Sequence, residues 1–162
     1  MKIKGLIDED FVNYKRPSMF ISTNKCSFKC CYEAGIDISA CQNNSLSKYE
    51  TIEINTDELI KRYLANDITS AIVFGGLEPF DQFTEIYDFI KKLREDYRCR
   101  DDVVIYTGYY PDEIETEILM LERYPNIIVK FGRYIPNIES RYDEILGVNL
   151  ASDNQYAQVL KW

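Results

Sequence analysis

The sequence predicts an α/β fold in one domain spanning residues 1–162, with a curved, mostly parallel sheet. Two regularities carry that expectation. Short apolar runs of strand length alternate with stretches whose apolar residues recur at helical spacing. Each later run also stops at a glycine, where the chain must turn. A length of 162 residues suits a single hydrophobic core, and no repeat, low-complexity tract or linker divides it.

Met19-Phe20-Ile21-Ser22 reads as a short buried strand that runs directly into a cysteine-rich segment. Thr56-Asp57-Glu58 caps and charges a helix whose apolar face is Leu59, Ile60, Tyr63 and Leu64. Ser70-Ala71-Ile72-Val73-Phe74 is the second strand and ends at Gly75-Gly76. Asp81 then opens a helix with Ile86, Tyr87, Ile90 and Leu93 on one side. Val103-Val104-Ile105-Tyr106 is the third strand, closed by Gly108, and Pro111 starts a helix carrying Ile114, Ile118, Leu119 and Leu121. Ile127-Ile128-Val129-Lys130-Phe131, ending at Gly132, is the fourth strand, and the tail from Val148 to Leu160 is a candidate for a last one. Right-handed crossovers make such strands parallel. About four units fall short of the eight that close a barrel, so the expectation is an incomplete, TIM-like βα barrel. The cysteines and the glycine turns then share the C-terminal edge, where parallel α/β sheets bind ligands.

Composition narrows the chemistry. The 27 acidic and 19 basic residues give a net charge of −8, which disfavours nucleic acid and anionic membrane as partners. No apolar run is long enough to span a bilayer and no secretory signal opens the chain, so a cytoplasmic location is expected. Histidine is absent, which removes Cys–His and Ser–His nucleophiles and every zinc site that uses histidine. No side chain is assigned as a catalytic acid, base or nucleophile.

Four of the five cysteines lie between Cys26 and Cys41. In a reducing compartment that clustering reads as metal binding rather than disulfides. Cys26, Cys30 and Cys41 are the best set of three for a cubane iron–sulfur cluster, leaving one iron open to a substrate. Cys31, adjacent to Cys30, is the competing ligand. A structural zinc site is the alternative, although the second Cys pair usual for zinc is missing; buried inert thiols are another. Cys99, alone between two arginines, reads as an incidental thiol.

The stretch from Phe20 to Cys30 resembles the strand and first two cysteines of radical S-adenosylmethionine enzymes. More narrowly, the chain resembles the small activating proteins of anaerobic ribonucleoside-triphosphate reductase. Cys41-Gln42-Asn43, Gly75-Gly76-Leu77-Glu78-Pro79, Tyr106-Thr107-Gly108-Tyr109, Phe131-Gly132-Arg133-Tyr134 and Ser152-Asp153-Asn154-Gln155 are similar to successive motifs of that family, in order. The resemblance implies a [4Fe–4S] cluster on Cys26, Cys30 and Cys41. It also implies S-adenosyl-L-methionine bound by Gly75, Gly76, Glu78, Pro79, Thr107 and Asn154. The implied partner is a glycyl-radical protein, anaerobic ribonucleotide reductase foremost, with a flavodoxin- or ferredoxin-type electron donor.

Departures accompany the likeness. Ten residues rather than two separate Cys30 from the third cysteine, Leu77 is inserted in the glycine turn, Leu150-Ala151 stands where the family has Arg-Gly, and Tyr156 where it has Arg. These departures keep two other functions open. One is a divergent radical enzyme acting on another protein or peptide; the other is an iron–sulfur or zinc protein without catalysis.

Overall fold

In a computed structural model describing residues 1–162, nine strands and five helices form in the order β1 (Lys2–Asp10), β2 (Ser18–Thr23), α1 (Lys29–Ala34), α2 (Asn44–Ser47), β3 (Ile52–Glu53), α3 (Thr56–Leu64), β4 (Ala71–Gly75), α4 (Phe83–Glu95), β5 (Asp102–Tyr106), α5 (Glu115–Leu121), β6 (Ile127–Phe131), β7 (Arg141–Asp143), β8 (Val148–Leu150) and β9 (Tyr156–Val159). The four apolar runs became β2, β4, β5 and β6, which pair in that order and in parallel. β1 and β9 flank them antiparallel, and β3 adds to the far side of β1. The resulting seven-stranded sheet is open, with β3 and β9 at its edges; β7 and β8 form a separate hairpin. No helix is long and apolar enough to cross a membrane.

Period-two alternation sorts the strand residues onto two faces. Met19, Ile21, Ile72, Phe74, Val103, Ile105, Val129 and Phe131 point to the outer face, where α3, α4 and α5 cover them with Leu59, Ile60, Tyr63, Ile86, Phe89, Ile90, Leu93 and Leu121. Burying each such large side chain contributes about 1.5–3 kcal/mol. The inner face has no helix. Ala71, Val73, Val104, Ile128 and Ala157 pack there against Tyr14 and the hairpin residues Leu146 and Leu150. Asp143 ties the hairpin down by accepting from Leu146 N and Ala157 N, both at 2.9 Å. Phe20 and Tyr106 pack at the border of this cluster, and Ser22, Gly75 and Lys130 lie further along the same face, on the wall of a cavity.

Several details differ from the sequence-based expectations. β1 was not expected, because only Ile3 and Asp10 along it are fully buried and its charged residues obscure the alternation. Asn55, not Thr56, caps α3, accepting from Asp57 N and Glu58 N. α4 starts at Phe83 after a 3-10 turn over Pro79–Gln82, and Asp81 turns instead toward the cysteine segment. Pro111 likewise begins a 3-10 turn, and α5 begins at Glu115. Leu64 and Leu119 are exposed rather than core, because each helix is short and turns only a narrow stripe onto the sheet.

Candidate functional site

A cavity of about 490 Å³ opens at the C-terminal ends of β2, β4, β5 and β6, on the uncovered part of the inner face. All four clustered cysteines line it, with Gly75, Gly76, Glu78, Thr107, Lys130 and Gln155 on the other walls. That volume lies within the range of about 300–1,000 Å³ usual for small-molecule sites.

The turn after β4 fixes the start of the cysteine segment. Gln82 Oε1 accepts from Asn24 N at 2.7 Å, Glu78 N donates to Lys25 O at 2.8 Å, and Asp81 accepts from Ser27 N. Phe28, in the left-handed region at φ 54°, reverses the chain into α1, where Cys30 and Cys31 point apart by about 100° of helical rotation. Gly35, at φ 62°, ends α1, and a 3-10 turn over Ile38–Ala40 delivers Cys41. The ten residues between Cys30 and Cys41 are therefore a folded arm rather than a loose loop.

The Cys31 thiol is buried, while Cys26, Cys30 and Cys41 are half-buried. Burial pushes the Cys26 thiol up to about 12, although Phe28 N donates to its Sγ at 3.3 Å. Burial, then the neighbouring Cys30, raises Cys31 to about 11. Metal binding at these thiols must displace protons. The donor set is soft sulfur with no imidazole, on one wall of a cavity with room beyond it, which fits an iron–sulfur cluster. No three cysteine or carboxylate groups converge on a single ion position, the arrangement that mononuclear zinc needs.

The other residues singled out by the sequence take distinct places. Gly76 sits at φ 77°, and a Cβ there would meet Leu46 Cδ2 at 2.8 Å and Ser22 Cβ at 3.1 Å. Gly75 O accepts from Thr23 Oγ1 at 3.2 Å. Glu78 Oε1 accepts from Thr107 Oγ1 at 2.6 Å and Phe80 N at 3.1 Å, and its Oε2 accepts from Gly108 N at 2.8 Å. The residue keeps some exposure through the cavity, but protein encloses its carboxyl group. That enclosure lifts it from 4.5 to about 7 against the pull of the three donors. Thr107 Oγ1 also accepts from Tyr109 N at 3.0 Å, so its hydroxyl serves to orient Glu78. Pro79 is buried at the head of the 3-10 turn and lies outside the cavity wall. Asn154 does too: its Nδ2 donates to Arg133 O at 2.8 Å and Tyr110 Oη at 3.1 Å. Gln155, its neighbour, faces the cavity and donates from Nε2 to Gly132 O at 3.1 Å.

A clasp that the motifs did not indicate holds α1 against the sheet. Arg133, just past β6, pairs with Glu113 and with Glu33 of α1, and Lys29 of α1 pairs with Glu113. The Arg133 guanidinium, foremost, holds the Glu113 carboxyl down to about 2. Lys29, next to Cys30 in the chain, is thus committed to Glu113 and Glu33. Lys130 is the other residue the motifs passed over; its signal was a lone lysine inside an apolar strand run.

The family described as the 4Fe-4S single cluster domain matches residues 15–155. No curated protein and no solved structure matches the chain.

Proposed function

The chain belongs to the 4Fe-4S single cluster domain family, and we propose on that premise that it cleaves S-adenosylmethionine reductively to make a 5′-deoxyadenosyl radical. The observation that carries this reading is the cavity: it joins the four clustered cysteines to a glycine turn and an enclosed carboxyl in a space of small-molecule size. Cys26, Cys30 and Cys41 would hold the cluster. When bound, a reduced [4Fe–4S] cluster would supply the single electron that breaks the sulfonium C5′–S bond.

The chain's own residues bind and orient. Glu78, already aimed by Thr107 Oγ1, Phe80 N and Gly108 N, accepts from the ammonium group of the methionine moiety. Gly75 and Gly76 bring the main chain to the cavity wall without side chains to obstruct it. The arm from α1 to Cys41 closes one wall, and the Tyr14 segment with the β7–β8 hairpin covers the inner face beside it, which limits water.

The protein substrate in this reading is a glycyl-radical enzyme, the anaerobic ribonucleoside-triphosphate reductase, and the electron comes from a flavodoxin- or ferredoxin-type donor. The folded ten-residue arm supports a second reading, in which the same chemistry acts on a different protein or peptide. Anaerobic reconstitution and reduction followed by assay of 5′-deoxyadenosine tests the function. Product from wild type, lost in Cys41→Ala, is expected. A protein that binds iron, is reducible and yields no product would reassign it to electron transfer. Product formation that the reductase neither enhances nor consumes would select the second reading.

A further inference from the structure

Between Thr23 and Leu59 only Cys31 is buried, at 2% exposure, so one thiol anchors the whole segment that carries the clustered cysteines. As an anchor alone, a small hydrophobe would serve equally well. What sets Cys31 apart is its company. It lines the same cavity as Cys26, Cys30 and Cys41. Gly35, in the left-handed region, and Ile36 N, which donates to Cys31 O at 3.1 Å, turn the chain back after α1. The 3-10 turn over Ile38–Ala40 then leads into Cys41, whose N donates to Ile38 O at 3.0 Å. Cys30 and Cys41 are the neighbouring thiols whose fields reach the Cys31 sulfur. Cys30 diverges from it within α1, which leaves Cys41 as the thiol that can approach it from outside the helix. Cys41 is half-buried and open to small reagents, whereas Cys31 is not. A cluster held by Cys26, Cys30 and Cys41 leaves Cys31 over.

We propose that Cys31 is the resolving thiol of a reversible disulfide with Cys41, a latch that a small-molecule disulfide closes when the cluster is absent. The Cys41 thiolate attacks one sulfur of the disulfide RSSR, so that the S–S bond breaks, a Cys41–S–SR bond forms and RS⁻ leaves. The Cys31 thiolate then attacks the Cys41 sulfur and expels the second RS⁻. The two cysteines lose two electrons and two protons, and RSSR becomes two RSH. In reducing compartments disulfides are of this transient, sensing kind. The bond withholds one ligand from cluster assembly until a thiol reductant releases it. It also shields Cys41 from oxidation to sulfinic acid, which thiols do not reverse. The inference rests on Cys26, Cys30 and Cys41 as the cluster ligands and is independent of S-adenosylmethionine.

The experiment uses the full chain, iron-free, reduced and kept anaerobic. Wild type, Cys31→Ala and Cys31→Ser are treated with glutathione disulfide, blocked with an alkylating agent and mapped by peptide mass spectrometry. Iron incorporation is measured before and after treatment with a dithiol reductant, and thermal unfolding of the reduced proteins is followed alongside. Wild type should give a Cys31–Cys41 linked peptide, take up about tenfold less iron because one ligand is withheld, and regain full loading on reduction. Both variants should stop at a glutathione adduct on Cys41, and when reduced they should load iron as wild type does. A link from Cys41 to Cys26 or Cys30, no link at all, or variants carrying no more Cys41 adduct than wild type would overturn the latch. Reduced variants that unfold early and form no adduct show Cys31 to be an anchor only, which overturns it as well. Reduced wild type that takes up no iron overturns the cluster assignment beneath it, while the peptide map reads the latch separately.

Discussion

Glu78 gives the sharpest test of how the site is built, because its environment writes itself into the pH dependence of stability. Its carboxyl ionises near 4.5 in an unfolded chain and near 7 in the fold, with enclosure by protein the main cause. A group whose folded value lies above its unfolded value stabilises fully below about pH 4.5, and that stability drains away as pH rises through about 7. A rise from 4.5 to about 7 corresponds to about 3 kcal/mol, an upper figure because cavity water solvates part of the residue. Glu78→Gln removes the ionisation and with it this pH dependence. The amide introduces its own cost, since its Nε2 faces the Gly108 N–H that now donates to Oε2. That cost is the same at every pH and cancels in the comparison. Urea denaturation of metal-free, reduced wild type and Glu78→Gln at about pH 4.5 and about pH 8 gives the four values needed. The variant should gain about 2–3 kcal/mol relative to wild type between the two conditions. A difference between the proteins that does not change with pH would refute the enclosure of this carboxyl.

Other perturbations probe the neighbouring walls. Gly76→Ala should lower stability by about 2–3 kcal/mol in urea titration, from a left-handed φ plus the approach to Ser22 Cβ, whereas Gly75→Ala, facing the Phe20 ring edge and Tyr106 Cβ without a left-handed φ, should cost about 1 kcal/mol. Glu113→Gln should cost about 2 kcal/mol at neutral pH. Because the folded Glu113 sits near 2, its contribution is present above about pH 4.5 and lost as pH falls toward 2, so acid titration of the variant should show a flatter limb. Alanine at Cys26, Cys30 or Cys41 should abolish iron loading by colorimetric assay. Cys99→Ala and Cys31→Ala should keep it, the latter with a loss of about 1–2 kcal/mol from the vacated buried thiol.

The central parallel strands were legible because their signal is local. Uninterrupted apolar runs such as Ala71–Phe74 and Ile127–Val129 require burial on both faces, and the glycines after them mark where each strand must stop. The cysteine segment was legible for the same reason: thiols that ligate one cluster from one loop must be close in sequence. β1 was hidden because it depends on partners far away in the chain, β2 and β3, whose hydrogen bonds let a charged sequence extend. The site's motif residues were separated only by the fold. Thr107 turned to Glu78, and of the pair Asn154 and Gln155 only Gln155 reached the cavity, since adjacent residues face different ways.

By itself the sequence determined the four central strands, the glycine-ended edge and the sulfur-rich loop, all consequences of composition within a few residues. Only the tertiary structure decided that Lys130 would be buried without a carboxylate, that Arg133 would clasp Glu33 from 100 residues away, and that Glu78 would be enclosed among three donors. Desolvation and ion pairing depend on which distant segments meet, and no local pattern of residues encodes that meeting.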